Sequence, residues 1–78
     1  MKKEPYDFIV KNLYYSGIER EIIRHYNLGY QNSSSIPSQL NEGDSGEYYI
    51  TGSRSSLKFY LDISKNVDGT YHLFCYPE

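Results

Sequence analysis

Leu57-Lys58-Phe59-Tyr60-Leu61-Asp62-Ile63 alternates apolar and polar side chains with a period of two. Leu57, Phe59, Leu61 and Ile63 therefore fall on one side of an extended chain and Lys58, Tyr60 and Asp62 on the other, the pattern of a strand with one buried face. Strand-like runs stand on both sides of it, 47–51 before and 70–76 after, joined through Gly52-Ser53-Arg54-Ser55 and through 64–69. Short turn-rich linkers between such runs predict a three-stranded antiparallel meander over 47–76. Asp68-Gly69 is the stronger of the two turn signals, because glycine takes positive φ at no steric cost. Pro77 has no N–H for a ladder and marks the end of the last strand.

Upstream, residues 5–28 read as helical. Pro5 is a favoured first helical residue, Asp7 suits an opening turn, and Phe8, Ile9 and Leu13, with Val10 and Tyr14 beside them, form a stripe. Ser16-Gly17-Ile18-Glu19 has the spacing of a capping box, so a second helix begins there unless Gly17 is carried inside one long helix at about 1 kcal/mol. In either form Ile18, Ile22, Ile23 and Tyr26 share a face and Asn27 or Gly29 supplies the stop. The expected fold class is α+β: one long or two short N-terminal helices packed in two layers on the meander.

Residues 30–46 are polar, rich in turn formers and without periodicity. A loop of this length in a small domain is usually functional or disordered. Its apolar residues Ile36 and Leu40 either pin it to the core or serve as anchors for a partner.

At 78 residues the chain makes a single small domain, spanning 1–78, of a size at which one core yields only modest stability. One cysteine, Cys75, has no internal disulfide partner, which points to a reducing compartment. It reads as a small apolar residue within a strand, since no basic neighbour in sequence would lower its pKa. Glu4, Pro5, Tyr6 and Asp7 follow the first three residues where a secretory signal would be apolar, and no run approaches the ~18 apolar residues of a membrane span. The expectation is a cytoplasmic protein that does not enter a membrane. The formal charge is −2, with both signs interspersed, which disfavours nucleic acid as a partner. The chain has ten Tyr, no Trp and no Ala, with free use of Asn, Ile and Lys, as an AT-rich genome would encode.

If Ile50, Leu73 and Cys75 face inward with the central strand, the opposite face carries Tyr49, Tyr60, His72, Phe74 and Tyr76 beside Lys58 and Asp62. So many aromatics on one sheet face mark an interaction site, because tyrosine supplies rigid contact area and a hydroxyl that stays wet. The sequence therefore predicts a non-enzymatic protein-binding module that uses Tyr49, Lys58, Tyr60, His72, Phe74 and Tyr76, flanked by Ile36 and Leu40. Small size, an AT-rich signature and the lack of a catalytic motif narrow this to an accessory protein of a phage or mobile element that inhibits or modulates a host factor, such as a defence nuclease.

Three other readings use the same residues. In one, the face stacks unpaired bases, although Lys58, Arg54 and Lys65 offer thin neutralisation for a phosphate backbone. His25 and His72 are the only bases near neutral pH, and a small histidine-dependent RNase-like toxin would pair them or set one beside Lys58, Arg54 or Tyr60. A homodimer would use the face, or pair an outer strand edge to edge. Two histidines and one cysteine without ligand spacing give no expectation of a metal or other cofactor.

Overall fold

The computed structural model describes residues 3–30 and 39–78. Its elements are β1 (Tyr6–Val10), α1 (Tyr15–Tyr26), β2 (Gly46–Thr51), β3 (Ser56–Lys65) and β4 (Tyr71–Pro77). The fold is α+β: among the described residues there is a four-stranded antiparallel sheet in the order β1-β4-β3-β2 and one helix. The meander is present with β3 at its centre. Phe59 pairs with Tyr48 on one side and Pro77 on the other, and Leu61 with Gly46 and Cys75.

The N-terminal segment departs from the expectation. Residues 6–10 form a strand instead of the start of a helix, and α1 follows it. Tyr6, Phe8 and Val10 pair with Cys75, Leu73 and Tyr71 and face the helix, while Asp7 and Ile9 face away. A five-residue aromatic and β-branched run fits a strand as well as a helical turn, and tertiary context decides. Here the context is the open edge of β4, which β1 completes.

α1 enters without a side-chain cap. Tyr14 is the N-cap residue and Ser16 already lies inside the first turn, so Ser16-Gly17-Ile18-Glu19 does not act as a capping box. The entry is set by backbone pairing instead: Leu40 N–H donates to the Leu13 carbonyl at 2.8 Å, and Tyr14 bridges to Gln39. Ile18 and Ile22 are buried, with Ile23 and Tyr26 packed at the margin of the core. Asn27 ends the helix in the left-handed region (φ 56°), and Leu28 N–H reaches back to the Ile23 carbonyl at 3.0 Å. This is a Schellman-type end.

The turn after the helix is clamped to the β2–β3 hairpin. The Leu28 carbonyl accepts from Arg54 N–H (2.9 Å) and Ser55 N–H (3.2 Å), and the Tyr30 carbonyl accepts from Ser53 N–H (3.0 Å). Gly29 (φ 94°) and Gly52 allow the close approach: a Cβ on Gly52 would stand 2.1 Å from the Leu28 oxygen. The second hairpin closes with Asn66 N–H to the Thr70 carbonyl at 2.8 Å and Gly69 at φ 91°. Asp68 accepts from the N–H and hydroxyl of Thr70, which hold its carboxyl below the usual range.

The core lies between the helix and one side of the sheet. Leu13, Tyr15, Ile18, Ile22, Leu28 and Leu40 meet Ile50, Leu57, Phe59, Leu61, Ile63, Leu73 and Cys75. Tyr15, Tyr48 and Phe59 stack in sequence through this layer, with centroids 5.9 Å apart at each step.

Candidate interaction face

The side of the sheet away from α1 carries the residues that alternate with the core. Along β4 these are His72, Phe74 and Tyr76; along β3, Lys58, Tyr60 and Asp62; on β2, Glu47 and Tyr49; and on β1, Asp7 and Ile9. Register pairs Ile9 with His72, Asp7 and Asp62 with Phe74, Tyr60 with Tyr76 and Glu47, and Tyr49 with Lys58. Cross-strand neighbours on one face lie close enough to interact. The six sheet residues Tyr49, Lys58, Tyr60, His72, Phe74 and Tyr76 thus share a surface.

Down β4 the rings form a ladder. His72 stacks on Phe74 at 4.2 Å and Phe74 on Tyr76 at 6.4 Å. Tyr49 is 57% exposed, Tyr60 41%, Tyr76 43% and Ile9 61%. His72 Nε2 lies 2.7 Å from Asp7 Oδ2, which fixes the ring over the β1–β4 seam. Ser45 donates to Asp62 Oδ1 at 2.9 Å and accepts from Ile63 N–H, so the face has a polar rim at β3. Asp7, Glu47, Asp62 and Glu78 set four carboxyls on or beside the face against Lys58. Glu78 is raised by its hydrogen bond to Glu47.

The two flanking residues separate. Leu40 is buried in the core at 4% exposure, held by the Leu13–Leu40 backbone bond, and so offers no surface to a partner. Ile36 lies outside the described residues. Asp7 and Ile9, which the helical reading of 5–15 hid, join the face. Their strand alternation, Tyr6-Phe8-Val10 against Asp7-Ile9, was the signal that would have found them.

A second cluster sits on the helix side. Tyr6 donates to Glu21 Oε2 at 2.5 Å, Arg24 binds Glu21 Oε1, and His25 stacks on the Tyr6 ring at 3.6 Å. The Tyr6 bond holds the Glu21 carboxyl down and pushes the Tyr6 phenol up. Tyr26 donates to the Glu4 carbonyl; burial, then Cys75, raises its phenol. Burial pushes the Cys75 thiol up to about 11, so it is a poor nucleophile at neutral pH. His25 and His72 lie on opposite sides of the sheet and do not form a pair. Among the described residues no group of three or more His, Cys, Asp or Glu could hold a metal ion, and no helix is long and apolar enough to cross a membrane. No protein-family model, curated protein or solved structure matches the chain.

Proposed function

We propose that the chain is a small non-enzymatic module that binds another protein through the open sheet face. The observation that supports this reading is the stacked His72–Phe74–Tyr76 ladder with Tyr60, Tyr49 and Ile9 exposed around it on the side opposite the helix. Contiguous apolar surface of this kind, rimmed by polar groups, is uncommon on a surface with no partner. Aromatic anchors surrounded by a charged rim are the usual make-up of an interface centre. Lys58 beside four carboxyls favours a partner with a basic rim. In the setting that the composition suggests, the module is a phage or mobile-element accessory protein acting on a host factor.

The ring ladder also favours a second reading, stacking of unpaired bases. The carboxyls argue against it, because each repels a phosphate backbone and within the described strands Lys58 is the one cation on the face. Affinity capture from a low-GC bacterial lysate tests the first reading, comparing the wild-type chain with a Tyr49/Tyr60/Tyr76→Ala variant. A specific protein retained by the wild type and lost by the variant, while the variant keeps its fold by circular dichroism, supports the face. Equal capture by both refutes it. Binding of labelled oligo-dT at low salt, abolished by the same substitutions, would replace it with the second reading.

A further inference from the structure

The free edge of β1 carries a self-complementary pattern of its own. The register and two backbone bonds fix which way its N–H and C=O groups point. Asn66 N–H donates to the Thr70 carbonyl and Glu78 N–H to the Lys58 carbonyl, so the even-numbered residues from 70 to 78 turn their backbone groups to the β3 side. In an antiparallel ladder the groups alternate, so Tyr71, Leu73 and Cys75 turn theirs to β1, where they meet Val10, Phe8 and Tyr6. Asp7 and Ile9 therefore direct their N–H and C=O away from the sheet. Among the described residues no strand pairs with that side. An unpaired edge of this kind is a template for another strand.

We propose that β1 pairs antiparallel with β1 of a second copy, Ile9 opposite Ile9 of the partner subunit, giving a two-fold dimer with one continuous sheet. Charge selects this occupant and this register. With Ile9 on the axis, Asp7 comes opposite the partner's Lys11, the first residue past β1, where the chain begins to bend, and the symmetry makes that contact twice. Asp7 has the capacity for it: Oδ2 meets His72, and a carboxylate's two oxygens accept several donors. Sliding the strands to centre Asp7 would set like charges opposite each other, and centring Phe8 would set Asp7 opposite Ile9. Pro5, also at an outward-directed position, has no N–H to give and limits pairing toward the N-terminal side.

The inner side fits the same register. Phe8 comes opposite Val10 of the partner subunit, and both residues are only half buried in one copy. Beside them runs an open groove of about 240 Å³, between β1 and α1, whose walls include Tyr14, Gly17, Ile18 and Glu21. A Cβ on Gly17 would meet nothing within 4 Å, so the groove is open at its helix wall. The other edge, β2, is also unpaired among the described residues; it directs Glu47, Tyr49 and Thr51 outward, none of them a cation to pair with Glu47. Joining β1 to β2 of the next copy would give an open chain of subunits instead of a closed pair.

Sedimentation equilibrium of the full chain from micromolar to millimolar concentration should give a monomer–dimer equilibrium. Asp7→Lys and Lys11→Asp should each raise the dissociation constant by about tenfold, because each turns two attractive cross-strand pairs into repulsive ones. The combined swap should restore most of the loss, although it too gives up the His72 contact. Under mild oxidation Ile9→Cys should form a covalent dimer, since directly paired strand residues lie ~5.5 Å apart at Cα, within disulfide reach. Asp7→Cys should not, since in this register the two copies of residue 7 stand roughly 13 Å apart. The wild type should not either, because Cys75 is buried. A strict monomer at millimolar concentration overturns the proposal. So does a dimer indifferent to both single substitutions, Asp7→Lys and Lys11→Asp, or one that links through Tyr49→Cys and not through Ile9→Cys.

Discussion

Replacing Tyr15 by phenylalanine should stabilise this protein, contrary to the usual effect of a core substitution. Tyr15 is 2% exposed, and its hydroxyl has no hydrogen-bond partner among the described residues. A buried hydroxyl stripped of water without a compensating bond costs about 1–3 kcal/mol. Phenylalanine removes that cost and keeps the ring that stacks on Tyr48 at 5.9 Å. Allowing for the small void left by one oxygen, the net gain should be about 1 kcal/mol. For a domain of this size that is a rise of roughly 4–8 °C in Tm. A pH signature accompanies it. Burial, and next the charge of Glu19, raise the Tyr15 phenol well above its ordinary value of 10.0. The folded state therefore keeps its proton at a pH where the unfolded chain has lost it. Such a group leaves stability unchanged below about pH 10 and reduces it as the pH rises further. The advantage of Tyr15→Phe should accordingly widen above pH 10. Urea unfolding of both proteins at neutral pH and at about pH 10.5 measures both effects. A loss of 1 kcal/mol or more at neutral pH would refute the reasoning, because it would mean that the hydroxyl is bonded in the folded state.

Three further outcomes follow from the packing. Phe59→Ala, at a fully buried position between Tyr48 and the rest of the core, should cost about 3–5 kcal/mol and leave much of the chain unfolded by circular dichroism, since a domain of this length has only about 4–12 kcal/mol in total. Gly52→Ala should cost at least about 2 kcal/mol, because its Cβ would meet backbone atoms of Leu28 at 2.1 and 2.7 Å and force apart the bonds from Arg54 and Ser55 to Leu28; a neutral melting temperature would contradict the clamp. Cys75 has its thiol raised from 9.0 to about 11, so the stability that depends on its proton is complete below pH 9 and lost as the pH climbs to 11. Cys75→Ala should flatten that part of the alkaline unfolding curve by on the order of 2 kcal/mol.

What could be read from the sequence divides according to how a segment gets its structure. The central strand was legible because its own side chains alternate without a break; the facing of the outer strands was not, since both of their faces carry large side chains, and placing Ile50, Leu73 and Cys75 inward was a choice between two registers that the structure bears out. The helix face of Ile18 and Ile22 and a stop at Asn27 or Gly29 were legible for a similar reason, since period and cap lie within the segment, and the structure uses Asn27. The strand at 6–10 was not. Its five residues satisfy both periods, and what settles the matter is the edge of β4, sixty-odd residues away in sequence. That error hid Asp7 and Ile9 and so half of the β1–β4 seam. The cap at Ser16 failed differently. The pattern was present, but the pairing of Leu13 and Tyr14 with Gln39 and Leu40 starts the helix before Ser16 can cap it. The clamp between Leu28–Tyr30 and the β2–β3 hairpin depends on two glycines whose need to be glycine is visible only in three dimensions.

The open face and the β1 edge are separate proposals that meet at one residue. Ile9 presents its side chain to the face and its backbone to the edge, so pairing two copies places their faces side by side. Strands in a sheet lie about 4.8 Å apart, and three spacings separate β4 from β4 of the partner subunit across the two β1 strands, so the two ring ladders would run roughly 14 Å apart. A standard interface covers about 800 Å² on each side and spans more than that distance. One bound protein would then touch both ladders, and its affinity would depend on the dimer as well as on the tyrosines. This gives Asp7→Lys a second reading in the capture experiment. If dimer and face act together, the substitution weakens capture and the combined swap with Lys11→Asp restores it, although neither variant alters Tyr49, Tyr60 or Tyr76. If the face acts alone, both variants lose the Asp7 carboxyl from its rim and weaken capture to the same extent, and the dimer serves some other end.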